Sequence, residues 1–347
     1  MRCLVVMTRG SSFALVLAAA SHLGGCTNDP AAPLDTRTPP TPATHYVLTT
    51  DLDVPAEAFL PQPGYDVLAA LHALREDPGA AIFDLLDEAG VPLLADLKAS
   101  LPSVLEDRVE DWIGAALTDV LDVPALDELI ALAETTVGDV DMISELDLDG
   151  AAATHRVRAL RFGADPSVVA GANLTVDVPI EALDPLLAFD ATAPASIVAE
   201  GNDAFLELGD HAFGLPLGKY AWIALEQLTE RKTGGTIRDA LARAVDCQTA
   251  AHSVAQKGIL GVEVGHETEL RELCETGLDL VEAKLYERVA SLDLNALRLA
   301  AGRARLVDAD GDGDGESLVA GSWDASVDFG LGARAVTGQF SGVAVPE

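Results

Sequence analysis

Apolar residues recur along this chain with two different periods, and the period changes several times. Between 66 and 132 they return every three or four positions, which predicts amphipathic helices. From about 140 to 208, and again from 294 to 345, they alternate with polar residues, as in strands with one buried face. A helical block separates the two blocks of strands. The order predicts an α+β fold in which helices pack on a mainly antiparallel sheet.

The strands of the first block carry a basic cluster that is unusual in this chain. The predicted strands are 141–148, 154–162, 168–180 and 196–208 in the first block, with 319–329 and 333–345 closing the second. The cluster comprises His155, Arg156, Arg158 and Arg161. We expect these side chains to pair with carboxylates on neighbouring strands, with an anionic ligand site as the alternative.

The N-terminus has the organisation of a secretory signal. Positive residues precede an apolar run at 13–20, which is too short to span a membrane, and small residues follow it. The tetrapeptide Leu23-Gly24-Gly25-Cys26 resembles the bacterial lipobox. That resemblance implies cleavage before Cys26 and acylation of its thiol, and a plain secreted protein is the alternative. Thr27 follows the cysteine where an Asp would resemble an inner-membrane retention signal, which favours the outer membrane.

Three regions follow from this organisation. Residues 1–25 are the predicted lipoprotein signal peptide. Residues 26–63, beginning with the acylated cysteine and rich in Pro and Thr, are a predicted tether. Within that tether, 45–49 is an extended piece that is a candidate for pairing with the domain. Residues 64–347 are predicted to form a single α+β domain.

Charge restricts the possible partners. Asp and Glu number 56 against 22 Lys and Arg, which gives a net charge of −34. Such a chain repels nucleic-acid phosphates and anionic lipid headgroups, so we exclude a nucleic-acid partner and expect membrane attachment only through the lipid. The hydrophobic fraction of 49% argues against disorder.

The four cysteines divide into two groups. Cys3 leaves with the signal peptide and Cys26 carries the lipid, so that Cys247 and Cys274 remain. An even pair in an oxidising compartment predicts a disulfide. A metal pair or a catalytic thiol is disfavoured, because neither cysteine belongs to a CxxC motif or a Cys/His cluster.

An acidic segment near the C-terminus has carboxylates at every second position, separated mainly by glycines. They are Asp308, Asp310, Asp312, Asp314 and Glu316. Oxygens at this spacing can converge on a hard cation. The segment resembles the DxDxDG calcium loops of EF-hand, dockerin and thrombospondin-type proteins, which implies a structural Ca²⁺ site. It departs from an EF-hand at the twelfth position, where Val319 replaces the bidentate Glu. The alternative is an acidic hairpin loop held open by its own repulsion.

No catalytic motif stands out. His266-Glu267 is followed at 270 by leucine, where a zincin needs a second histidine, and the chain has no G-x-S-x-G, Walker A or G-x-G-x-x-G motif. We therefore expect a membrane-anchored extracytoplasmic lipoprotein with a non-enzymatic binding or envelope-structural role. A carrier of hydrophobic ligand, by fold analogy with the tubular lipid-binding proteins, is the first alternative. An enzyme with a dispersed site is the second.

Overall fold

Antiparallel strands dominate the part of the chain that the structure describes. The structure is a computed structural model that describes residues 39–53, 140–164, 174–257, 267–330 and 332–345, with a few positions between 76 and 136. Those few positions are helical, as the apolar period predicts. Helices together with a mostly antiparallel sheet confirm the predicted α+β class.

The described strands form one large sheet and a two-stranded pair. In chain order they are β1 Thr41–Pro42, β2 His45–Asp53, β3 Val140–Asp149, β4 Ala152–Ala164, β5 Leu174–Pro179, β6 Phe189–Glu200, β7 Asp203–Leu208, β8 His211–Leu215, β9 Leu294–Val307, β10 Asp314–Gly315, β11 Ser317–Asp328 and β12 Arg334–Ala344. The predicted strand at 196–208 is in fact the end of β6 and all of β7, joined through a turn at Gly201. Strand β8 was not predicted.

Eight of these strands close on themselves into a ring. The antiparallel order runs β9, β11, β12, β2, β3, β4, β6, β7 and returns to β9. Strand β9 closes the ring because it pairs with β11 on one side and, through 302–306, with β7 on the other. Strand β5 pairs with the second half of β4, and β8 with the first half of β9. A closed sheet leaves few backbone groups unpaired along these eight strands.

The ring interior holds the apolar face that the alternation predicted. On β11 the buried residues Gly321, Trp323, Ala325 and Val327 all belong to that face. Trp323 fits because Gly302 stands next to it: a Cβ at Gly302 would lie 2.0 Å from Cζ3 of the indole. The alternation over 319–329 also places Val319 on that face, but a bulge after Leu318 shifts the phase at the start of β11, and Leu318 is buried instead.

Strand β2 lies inside the range predicted as tether. It pairs with β12 on one side and with β3 on the other, over nearly its full length. Tyr46, Leu48 and Thr50 point into the ring and are fully buried. The domain boundary predicted at residue 64 is therefore too late, because the ring needs this strand to close. The extended piece at 45–49 does pair with the domain.

Four described helices follow the first block of strands. They are α1 Leu217–Thr233, α2 Ile237–Ala244, α3 Cys247–Lys257 and α4 Glu267–Ala290. Helix α2 begins at a reciprocal capping box formed by Thr236 and Asp239. A disulfide joins Cys247 of α3 to Cys274 of α4, as predicted, with the two Cα atoms 5.6 Å apart. None of the described helices is both long enough and apolar enough to cross a membrane.

The arginines of the basic cluster pair as predicted, but His155 does not. The salt bridges have N···O distances of 2.8 Å for Arg156 with Asp190, 2.6 Å for Arg158 with Glu145 and 2.7 Å for Arg161 with Asp177. All three pairs bridge neighbouring strands on the outer face of the ring, where each contributes at most about 1 kcal/mol. The prediction for His155 is wrong, because alternation along β4 turns this side chain into the interior, where it is fully buried.

Candidate functional site

The acidic segment forms the connection between β9 and β11. Asp308, Asp310, Asp312 and Glu316 each offer a carboxylate oxygen, and these oxygens all lie within 4.8 Å of one another. A compact group of carboxylate oxygens is the ligand set that hard cations such as Ca²⁺ take in proteins. These four residues could therefore hold a metal ion.

Backbone amides gather the carboxylates. The two oxygens of Asp308 accept hydrogen bonds from the N–H groups of Gly311, at 2.6 Å, and Gly313, at 3.0 Å. Gly311 and Gly313 have φ values of +84° and +98°, which residues with a side chain rarely adopt. Glu316 accepts from the N–H of Ala309 at 2.7 Å, across the base of the loop. The glycines thus let the chain turn tightly enough for its acids to converge.

Asp314, the fifth predicted ligand, is outside the group. Its backbone belongs to β10, which pairs in parallel with β1. In calcium loops of this kind the seventh position contributes its backbone carbonyl, and Asp314 matches that position. The prediction therefore erred in counting its side chain, since alternation in the sequence does not reveal which residues ligate through the backbone.

Hydrogen bonds join the acidic loop to the point where the chain enters the ring. The N–H of Thr41 donates to the carbonyl of Gly313 at 2.8 Å. The Tyr46 hydroxyl donates to the carbonyl of Gly315 at 2.7 Å and accepts from the N–H of Ala43 at 2.8 Å. Burial raises the pKa of Tyr46, so the hydroxyl stays protonated as a donor. Loop and entry segment therefore form one hydrogen-bonded unit.

A second polar group lies inside the ring, where three side chains from different strands form a chain of hydrogen bonds. His155 Nε2 lies 2.7 Å from Ser144 Oγ, and His155 Nδ1 lies 2.8 Å from His211 Nε2. His211 Nδ1 is 2.9 Å from the carbonyl oxygen of Gly209, which can only accept, so this nitrogen carries the proton. His155 then donates to His211, and Ser144 donates to His155. All three groups are satisfied in their neutral forms.

Both imidazoles are poor bases in this environment. Burial, followed by the proximity of His211, lowers the pKa of His155 to about 3. Burial also lowers the pKa of His211, against the opposing effects of the Gly209 carbonyl and of Asp210. Near neutral pH neither ring is charged.

The order Ser144, His155, His211 has the connectivity of a nucleophile, a base and an orienting group. The side chains do not have the access or the basicity that this role needs. Ser144 and His155 are 0% exposed, and a base with so low a pKa accepts protons poorly near neutrality. Sequence reasoning missed this group, although alternation along β3 and β4 places Ser144 and His155 on the apolar faces of their strands.

An apolar cavity of about 30 Å³ lies where β2 ends and β3 begins. Its walls are Leu52, Val140, Met142, Leu160, Leu215, Leu217, Leu294, Leu297, Val327 and Phe329. A space with such walls offers water no hydrogen-bond partner and so favours apolar contents.

Cys26 and its tetrapeptide, with His266 and the signal peptide, lie outside the described residues. No protein-family model, curated protein or solved structure matches this chain, so its function has to be argued from its own residues.

Proposed function

We propose that this chain is a lipid-anchored protein of the bacterial cell envelope with a non-enzymatic binding or structural role. The observation that carries the non-enzymatic role is the closed interior of the ring. The Ser–His–His arrangement there, the nearest approach to a catalytic set among the described residues, has no exposed nucleophile. The disulfide between Cys247 and Cys274 supports an oxidising compartment outside the cytoplasm.

The anchor proposal rests on the lipobox tetrapeptide, and acylation of Cys26 tests it. Cells grown with labelled palmitate should label the wild-type protein and bring it to the membrane fraction, while Cys26→Ala should stay unlabelled. Cys3→Ser is the matched control, because a cysteine removed with the signal peptide cannot affect the label. A wild-type protein without label would mean that the chain is simply secreted. Thr27 favours the outer membrane, and membrane fractionation tests that choice.

We propose that the acidic loop binds Ca²⁺ as a structural ion. The four gathered carboxylates stand at the first, third, fifth and ninth positions of the calcium loops that the segment resembles. The bidentate Glu of the twelfth position is replaced by Val319, so weak binding is expected. Because the same loop accepts hydrogen bonds from Thr41 and Tyr46, the ion would stabilise the segment through which the chain enters the ring.

Calorimetry on the full-length protein should detect one Ca²⁺ per chain with a dissociation constant of about 0.1–1 mM, the range of extracellular calcium modules. Asp310→Asn should weaken binding at least about tenfold, since it removes one anionic ligand. Asp324→Asn changes an exposed acid on β11 outside the loop and should leave binding unchanged. At ten times the dissociation constant, Ca²⁺ should raise the free energy of unfolding by about 1.4 kcal/mol. No binding at millimolar Ca²⁺ would refute the site.

A carrier of hydrophobic ligand is the second candidate, because the cavity beside β2 and β3 has apolar walls, although its size argues against a lipid. Its volume of about 30 Å³ accommodates only a few atoms, far less than a lipid chain. Native mass spectrometry of the purified protein distinguishes the candidates. A carrier keeps a non-covalent lipid at stoichiometric amounts, whereas the structural module has only its covalent anchor.

A further inference from the structure

Strand β8 is attached to the ring differently from its neighbours. Among the described residues its backbone pairs only with β9, and it leads through Pro216 directly into α1. The side chains of His211, Phe213 and Leu215 alternate inward and are buried. Beyond its backbone pairing with β9, this five-residue strand is therefore attached to the ring by its buried side chains.

The polar contact that holds β8 from inside is the hydrogen bond between His211 and His155. It joins β8 to β4, two strands that are not neighbours in the sheet. Two aromatic rings pack on His155: Phe213 meets its ring edge-on with centroids 5.2 Å apart, and Trp323 stacks nearly parallel to it with centroids 6.1 Å apart. The bond is 2.8 Å long and needs one bare nitrogen and one N–H.

Few charged groups act on this pair. Asp210 precedes His211, favours its protonated form and accepts a hydrogen bond from Arg298 of β9 at 2.6 Å. The residues opposite His155 on β3 and β6 are Leu146 and Ala191, which do not titrate. Ser144 and Trp323 complete the surroundings and are uncharged. Asp210 is already engaged with Arg298.

We propose that His155 and His211 form an acid-sensitive latch that holds β8 and the start of α1 against the ring and releases them when the imidazoles take up protons. With one added proton the pair keeps its hydrogen bond, because His155 can carry its own proton on Nε2, facing Ser144 Oγ, and accept from His211 through a bare Nδ1. A second proton removes the last bare nitrogen and places two N–H groups face to face at 2.8 Å, so the hydrogen bond is lost. A charge inside the ring is also poorly solvated. Release of β8 gives both rings access to water.

The direction of the pH dependence follows from linkage. Burial lowers the pKa of His155 to about 3 in the closed form, whereas a solvated imidazole has its ordinary value of about 6.5. The open form therefore binds protons more strongly. The latch holds fully above pH 6.5, and below it the open fraction rises by up to about tenfold per pH unit for each histidine. For His155 this rise continues down to about pH 3.

Release of the latch reaches the apolar cavity at the other end of β8. Leu215, the last residue of β8, and Leu217, the first of α1, are both part of its wall. Moving these two residues away removes part of that wall and widens the cavity. The proposal thus goes beyond the structural role, since it makes the width of the cavity described above depend on pH.

Hydrogen exchange on the full-length protein at pH 7, 6, 5 and 4, expressed as protection factors, tests the latch. We expect protection of residues 211–221 to fall by between tenfold and a hundredfold per pH unit below 6.5, while β12 keeps its protection. His211→Gln leaves one titrating ring and should limit the fall to tenfold per unit. His252→Gln changes an exposed histidine of α3 and should reproduce the wild-type profile.

Three results would overturn the proposal. The first is unchanged protection of β8 in the wild type at pH 4. The second is parallel loss in β8 and β12, which means global unfolding rather than release. The third is a wild-type profile in His211→Gln. The first two need only the wild-type protein, so the test remains decisive even if the variant does not fold.

Discussion

Replacement of Trp323 by alanine is expected to lower the free energy of unfolding by about 3–5 kcal/mol, the usual cost of removing a large aromatic side chain from a core. Trp323 is 2% exposed and stacks on Phe340 with ring centroids 4.6 Å apart. Gly302 leaves room for the indole and cannot refill the space once it is gone. Urea unfolding followed by far-ultraviolet circular dichroism measures the effect without relying on the indole.

Two further variants separate the causes of this loss. Trp323→Phe keeps an aromatic ring and removes an indole N–H that has no hydrogen-bond partner in the described part of the chain, so it should cost only about 1–2 kcal/mol. Trp222→Ala removes a half-buried ring that packs on Tyr286 at 5.4 Å and should cost less than Trp323→Ala. A loss below about 1 kcal/mol for Trp323→Ala would show that the ring interior is not well packed.

Removal of the disulfide, as Cys247→Ser with Cys274→Ser, is expected to lower the free energy of unfolding by about 3–4 kcal/mol in the chain-entropy model. The cysteines are 27 positions apart, and the bond restricts that loop in the unfolded chain. In the folded protein it joins α3 to α4. Urea unfolding of the double variant beside the wild type measures the difference.

Reduction provides the matched control. A reductant should bring the wild type to the stability of the double variant and leave the double variant unchanged. Titration of the denatured, unreduced wild type should find no free thiol at Cys247 or Cys274. A free thiol at either position, or equal stability of variant and wild type, would contradict the structural role of the bond.

Several features could be predicted because they depend on local pattern or on elimination. Alternation correctly identified the inward face of β11 from Gly321 to Val327, including Trp323, but not at Val319, where the bulge shifts the phase. The cysteine pairing followed once Cys3 and Cys26 had been given other roles. The spacing of Asp308, Asp310 and Asp312 predicted a convergent acidic loop, and their oxygens do converge with that of Glu316. Each of these inferences used either residues that are close in sequence or the number of cysteines in the chain.

The errors share a different origin. His155 was grouped with the arginines beside it because all four residues are basic. Its place in the alternation of β4 nevertheless points its side chain inward. Strand β2 was placed in the tether because Pro and Thr surround it. Asp314 was counted as a ligand because its side chain fits the period. In each case the outcome depended on where the backbone lies in the assembled sheet.

The sequence by itself determined the α+β class, the alternation of buried faces, the disulfide and the acidic loop, because periodicity and residue type act over a few positions. Only the tertiary structure decided that the sheet closes, since closure requires β9 to meet both β7 and β11 and these pairings are long-range. Closure in turn brings Ser144, His155 and His211 together from three strands. Period predicts which way a side chain points, but only the assembled ring determines what it meets there.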